Sequence, residues 1–205
     1  MKNEINRIAG RLVKAFNTNT VINPIPVKYC KNINLANKLR KLCEDQIKDE
    51  TIGIKAGGTG IQALKKLKEK EPFTAKVFKK RLVKSGQKVK INQHTKGIEV
   101  EVYYFIKKSF FDFKGKVTKS NVTKFIKFMG PCFEIVGFRQ RNKKFTYLGD
   151  ICGDFGFNIK FVVGRKTKFK KLNLNNLKTS LVSKKNGVKV NGNTNIVYIN
   201  PLNSL

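Results

Sequence analysis

At 205 residues and 40% hydrophobic content, the chain is long enough for one domain with a substantial core and too apolar for wholesale disorder. Lys and Arg total 44 against 13 Asp and Glu, a formal charge of +31, which reads first as a footprint for nucleic acid or an anionic surface. No apolar run approaches the ~20 residues that span a bilayer. Residues 4–16 form the first predicted helix, with Ile5, Ile8, Ala9, Leu12, Val13 and Phe16 on one face. Asn23-Pro24-Ile25-Pro26 then forces an extended segment. A second helix is predicted over 35–48 and a short buried strand over 52–56. The loop Gly57-Gly58-Thr59-Gly60 leads into a third helix over 61–68. Beyond Pro72 the pattern turns to strands, at 76–82, 88–91, 98–106, 132–138 and 158–163. A helix over 121–128, with Ser120 as its N-cap, interrupts them. Strands at 177–183 and 188–190 flank Asn186-Gly187, a hairpin signal, and a last strand covers 196–199. Helices first and strands after predict an α+β fold in a single domain, with a helical part over 1–70 and a β-rich part over 71–205.

The scarce acids are the informative residues. Glu99 and Glu101 lie two apart in Ile98-Glu99-Val100-Glu101-Val102, and Glu134 sits between Phe133 and Ile135. Residues two apart on a strand share a face. Like charges buried together are costly without a cation, and a third carboxylate would complete one side of a hard-cation site. The alternative is that Glu99 and Glu101 are solvated residues of an edge strand.

The basic excess is less informative than its size. Of the 44 cations 37 are Lys and 7 are Arg, spread along the whole chain. This is the composition an AT-rich genome writes, and Arg, the better fork for phosphates, is scarce. Nucleic acid is therefore not the expected partner, although Tyr103, Tyr104, Phe110, Phe111 and Phe113 can stack bases as well as fill a core. Cys30, Cys43, Cys132 and Cys152 show no CxxC spacing, and His94 is the single histidine, so zinc of the Cys/His kind is not expected. Without a signal-peptide pattern the expected setting is cytoplasmic, with reduced thiols.

An ordered set of short motifs carries a resemblance. The set is Gly53-Ile54-Lys55-Ala56-Gly57-Gly58-Thr59, Glu71-Pro72, Ile98-Glu99-Val100-Glu101, Pro131-Cys132-Phe133-Glu134-Ile135-Val136 with Arg139, Asp154 with Asn158, Gly192, and Asn200-Pro201-Leu202-Asn203. It resembles the 2-keto-4-pentenoate hydratase family of the fumarylacetoacetate hydrolase superfamily. The resemblance implies a mixed β-roll preceded by a helical segment. It also implies Mg²⁺ or Mn²⁺ on Glu99, Glu101 and Glu134, with Lys55 as general acid/base or clamp for the substrate carboxylate. Gly57, Thr59, Arg139 and Asp154 are the substrate-binding positions on this reading, although Arg139 can equally pair with a carboxylate and Asp154 can equally cap a turn. The implied reaction is addition of water to a 2-oxo-4-enoic acid by a homo-oligomeric lyase of aromatic-compound breakdown. The same enolate chemistry serves a 2-oxo acid decarboxylase or an acylpyruvate C–C hydrolase.

Two departures stand out. Many such hydratases carry an acid immediately after the proline of the Glu71-Pro72 region, where this chain has Phe73. The family also continues beyond Asn200-Pro201-Leu202-Asn203, so the closing strands of the roll are expected to be missing. An inactive fragment and a basic nucleic-acid-binding protein are the remaining alternatives.

Overall fold

The computed structural model describes residues 2–91, 94–170 and 174–197. Helix α1 (Lys2–Thr18) opens the chain. Its predicted face is the buried one, with Ile5, Ile8, Leu12 and Phe16 each at most 4% exposed. The proline-containing stretch runs extended and is latched at Ile22, whose N–H donates to Arg139 O at 2.9 Å while Arg141 N donates to Ile22 O at 2.8 Å. A short helix not predicted from sequence, α2 (Lys28–Lys31), buries Tyr29 and Cys30. Helix α3 (Ile33–Asp45) begins at Asn32, whose side chain accepts from Asn34 N and Leu35 N, a standard N-cap. Ile8, Leu12, Phe16, Tyr29, Leu39 and Cys43 close into one core with Phe78 and Phe155.

Strand β1 (Thr51–Gly57) runs antiparallel to β2 (Phe73–Phe78), with helix α4 (Ile61–Leu67) between them in sequence. The expectation of a buried strand over 52–56 is corrected. The strand forms, but Ile52 is 39% and Ile54 72% exposed, because the two-stranded sheet covers only one of its own faces. The strand expected over 76–82 is broken by a 3₁₀ turn at Lys79–Arg81, which turns Arg81 inward, and resumes as β3 (Leu82–Lys84). Residues 88–91 form no strand: their alternation has no partner among the described residues, and alternation alone does not make a ladder.

The main sheet holds β4 (Thr95–Ile106) and β5 (Ile126–Gly137), joined by a single helical turn α5 (Lys119–Val122). That turn is capped by Thr118 reciprocally with Asn121, not by Ser120. It stops early because Ile126, Phe128 and Met129 are taken up by the β4–β5 ladder. Helix α6 (Leu148–Cys152), unforeseen, packs against α3 and α2. It is followed by β6 (Asn158–Val163), whose bounds match the sequence expectation, and by the two-residue β7 (Thr167–Lys168). The sheet order is β3-β6-β5-β4, with β7 also on β5. β3 pairs with β6 in parallel and the other pairs are antiparallel, so the sheet is mixed. The predicted hairpin is β8 (Lys178–Val182) with β9 (Lys189–Asn193), and Gly187 supplies the left-handed residue of its turn at φ +69°. Thr194–Ile196 is a 3₁₀ turn. The remainder of the strand expected over 196–199, and the Asn200-Pro201-Leu202-Asn203 motif, lie outside the described residues apart from 196 and 197. No described helix is long and apolar enough to cross a membrane.

Candidate metal centre and its recess

Register brings the acids together. In the β4–β5 ladder Glu99 stands opposite Glu134, and Glu101 stands opposite Cys132. Residues paired across an antiparallel ladder share a face, as do residues two apart on one strand. The three glutamates therefore project to one side. One carboxylate oxygen from each lies within 4.8 Å of the other two. Glu134, on an inner strand, is 2% exposed, while Glu99 and Glu101, on the terminal strand, are reached by solvent.

Lys55 enters the cluster from β1. Its Nζ donates to Glu134 Oε1 at 2.5 Å and to the carbonyl of Gly156 at 2.8 Å. The second contact depends on an unusual backbone. Phe155, Gly156 and Phe157 all have positive φ, at 53°, 67° and 71°, a conformation that costs non-glycine residues energy. A Cβ on Gly156 would stand 2.7 Å from the Cβ of Ala75, so this carbonyl can be aimed at Lys55 only from a glycine. Gly57, Gly58, Thr59 and Gly60 form one rim of a recess of about 210 Å³ floored by Lys55, Glu99 and Glu101. Phe145, Leu148, Ile151 and Phe157 provide its apolar wall. Gly58, at φ +73°, packs so closely on Leu148 that a Cβ would come within 2.6 Å of it.

The electrostatics are those of a site lacking positive charge. Desolvation, then the charges of Glu134 and Glu99, push the Glu101 carboxyl up to about 7. Glu101 as a whole is exposed, yet its carboxyl has enough protein around it for desolvation to lead. Desolvation also raises Glu134, against the pull of Lys55. Three carboxylates and one ammonium leave two negative charges when fully ionised. An all-oxygen donor set with that residual charge suits a hard divalent cation.

A pH dependence follows. A carboxyl whose folded pKa is raised binds more protons folded than unfolded, so its charging opposes folding as pH rises from the ordinary 4.5 towards about 7. Relative to wild type, Glu101→Gln is expected to melt higher at pH 8 in chelator and to lose that advantage by pH 5. A melting difference independent of pH would contradict this account.

Of the other sequence-predicted positions, Gly57 and Thr59 line the recess. Arg139 and Asp154, expected from sequence to contact a substrate, do not line it. Arg139 Nη1 lies 3.1 Å from Asp154 Oδ1, and Arg139 N donates to Asp154 Oδ2 at 2.7 Å. Arg139 also donates to the carbonyl of Asn158, and its guanidinium lies over the rings of Phe16 and Phe155. The two residues are 5% and 0% exposed, so their hydrogen-bonding capacity is used inside the core. The sequence reading missed the Gly156 carbonyl and the wall residues Phe145, Leu148, Ile151 and Phe157. The available signal was Asp154-Phe155-Gly156-Phe157-Asn158, a glycine between two aromatics flanked by turn-forming Asp and Asn.

Solved structures similar to this one include two of 4-oxalocrotonate decarboxylase from Pseudomonas putida G7. The complex with magnesium and adipate superposes with a TM-score of 0.72 at 16% identity, over 96% of this chain and 76% of that chain. The complex with calcium and acetate gives 0.74 at 16% identity, over 96% and 75%. No family model and no curated protein sequence matches the chain. The structural likeness establishes the architecture: the chain has the α+β fold of the fumarylacetoacetate hydrolase type, a mixed sheet with a helical N-terminal segment.

Proposed function

We propose that the protein is a divalent-metal-dependent enzyme acting on a small 2-oxo acid, with hydration of a 2-oxo-4-enoate as its reaction. The observation that carries this reading is the convergence of Glu99, Glu101 and Glu134 within 4.8 Å beside the ammonium of Lys55. Mg²⁺ or Mn²⁺ bound there supplies Lewis-acid stabilisation of negative charge on a chelated 2-oxo acid. The decarboxylase of the same fold was solved with magnesium and with calcium, which supports a divalent metal as the cofactor.

On this reading Lys55 moves the proton. An ammonium has three hydrogens, and two are committed to Glu134 and Gly156. The third is available to a molecule in the recess. Holding Nζ between a carboxylate and a carbonyl fixes its position, which general acid–base transfer requires. The apolar side chains of Phe145, Leu148, Ile151 and Phe157 keep bulk water from the reacting carbon while the glycine-rich rim leaves room for a planar acid. A recess of about 210 Å³ suits a compound of five or six carbons.

Phe73 favours a second reading, decarboxylation of a 2-oxo acid. Its ring is buried, 4% exposed, and occupies the space above Gly57, where a Cβ would stand 2.4 Å from Phe73 Cζ. It therefore offers no carboxylate to activate the water that hydration needs. The decarboxylase activity in the name of both structural neighbours points the same way.

Absorbance assays with 2-hydroxypenta-2,4-dienoate and with oxaloacetate, in Mg²⁺, Mn²⁺ or EDTA, separate the two. Loss of the dienoate to a 4-hydroxy-2-oxo acid in metal alone supports hydration. Consumption of oxaloacetate with the dienoate untouched moves the assignment to decarboxylation. Turnover that persists in excess chelator removes both. Lys55→Met is expected to lower kcat by roughly 10²–10⁴-fold, the usual size of a general acid–base contribution, while calorimetric Mn²⁺ binding is retained. Undiminished kcat in that variant would remove Lys55 from the reaction.

A further inference from the structure

A second cavity lies apart from the carboxylate recess. It is a cleft of about 510 Å³ between the C-terminal end of α1, the segment after α3 and the β3–β6 edge. Lys48, Lys80, Arg81 and Lys160 line it, with Asp49 as the one acid. It shares no lining residue with the recess. Register separates the two further: in the β5–β6 ladder Glu134 stands opposite Phe161, and Lys160 stands opposite Ile135. Lys160 therefore leaves the sheet on the face opposite Glu134.

Two of these cations, Arg81 and Lys160, are held in place by backbone carbonyls and not by ion pairs. The Arg81 guanidinium is stacked on Phe16 at 3.7 Å and donates to the Phe16 carbonyl. Arg81 is only 9% exposed, and its Nε has no hydrogen-bond partner. Lys160 Nζ is fixed on the Lys80 carbonyl at 2.8 Å. Among the described residues none of the four cations of the cleft is in an ion pair. Asp49 offsets only part of this charge: its carboxylate raises Arg81 while its Oδ1 accepts from Glu50 N and its Oδ2 from Lys80 N, both at 2.9 Å, and one acid stands against four cations. Desolvation and the proximity of Arg81 lower Lys160, and desolvation and the proximity of Arg139 lower Arg81 to about 10. Buried or half-buried cations are ordinarily paired. Among the described residues Arg81 and Lys160 have no ion-pair partner, and a planar guanidinium held rigid by an aromatic ring is suited to an oxyanion.

We propose that this cleft is a second ligand site, which binds a small phosphate monoester with its phosphate on Arg81 and Lys160. The volume exceeds what inorganic phosphate fills, and Phe16 and Ile47 give the body of the ligand an apolar wall. The site is independent of the metal centre.

Calorimetric titration of the full chain with adenosine 5′-monophosphate tests it, with inorganic phosphate as the smaller probe and adenosine as the uncharged control. The nucleotide is expected to bind saturably, one to one. Lys160→Gln, at a half-buried position, and Lys48→Gln, at an exposed one, are expected to weaken binding about tenfold each, as loss of a charge-assisted contact does. Lys184→Gln removes the same charge from the β8–β9 turn and is expected to leave the affinity within about twofold. Unchanged circular dichroism identifies folded variants. Equal weakening in all three variants would reduce the effect to the general field of a +31 chain and overturn the proposal. Absence of saturation, or adenosine binding as tightly as its phosphate, would overturn it as well.

Discussion

Glu134→Gln is expected to abolish functional Mn²⁺ binding, with at least a ~100-fold loss of affinity, since even changes outside the ligand shell of a metal cost roughly 10–100-fold. Glu134 is the buried member of the cluster, at 2% exposure, and stands opposite Glu99 in the ladder. Its oxygens are the least able to be replaced by water. In wild type a metal at about 100 times its Kd stabilises the fold by about 2.7 kcal/mol, so the melting temperature should rise with Mn²⁺ and in the variant should not. Glu134→Gln also deprives Lys55 of its carboxylate partner. The double variant Lys55→Met/Glu134→Gln removes that complication and is expected to be equally unable to bind. Retention of Mn²⁺ affinity within about threefold in both variants, where ~100-fold loss is expected, would show that the three carboxylates hold no metal. Binding should also weaken as pH falls through about 7, because the carboxyl of Glu101, raised to about 7 by desolvation and its two acidic neighbours, must lose its proton to ligate.

The acids show which parts of this site are legible in sequence. That Glu99 and Glu101 share a face follows from the period of a strand, and it holds however the strand is paired. That Glu134 joins them depends on the register of β5 against β4, and a slip of one residue would send it to the other face. Spacing cannot supply that register; the resemblance implied only that the three glutamates act as one set, with no pairing of the strands. Helix α1 and strand β6 were readable because each buries one continuous pattern. Helix α6 was not, since five residues cannot show a period of 3.6. Its start is fixed by Asp150, which accepts from Thr146 N and Tyr147 N at 2.8 and 2.7 Å, not by an N-cap residue ahead of the helix. The strand expected over 88–91 failed for the converse reason. Its residues alternate as a strand should, but nothing described pairs with them.

Arg139 and Asp154 belong to the motifs of the resemblance but pair with each other in the core. Both fall in motifs that pointed to a substrate, yet Asp154 is fully buried and accepts from Arg139 N, Arg139 Nη1 and Gln140 Nε2 at 2.7, 3.1 and 3.2 Å. Asp154→Ala is therefore expected to act on stability. Removing one partner of a buried ion pair leaves the other charge uncompensated and typically costs about 3–5 kcal/mol. For a chain of this size that corresponds to a fall in melting temperature of roughly 6–20 °C. The effect should reach the recess indirectly. Arg139 also holds the carbonyl of Asn158, and the Asn158 side chain holds the carbonyl of Phe155. These contacts flank Gly156, whose own carbonyl orients Lys55. Under the proposed reaction Asp154 is thus expected to act as a positioning residue. In Asp154→Asn, which keeps the shape and loses the charge, kcat should fall with KM nearly unchanged, alongside a lower melting temperature. An unaltered melting temperature combined with a raised KM would instead return Asp154 to direct contact with the substrate.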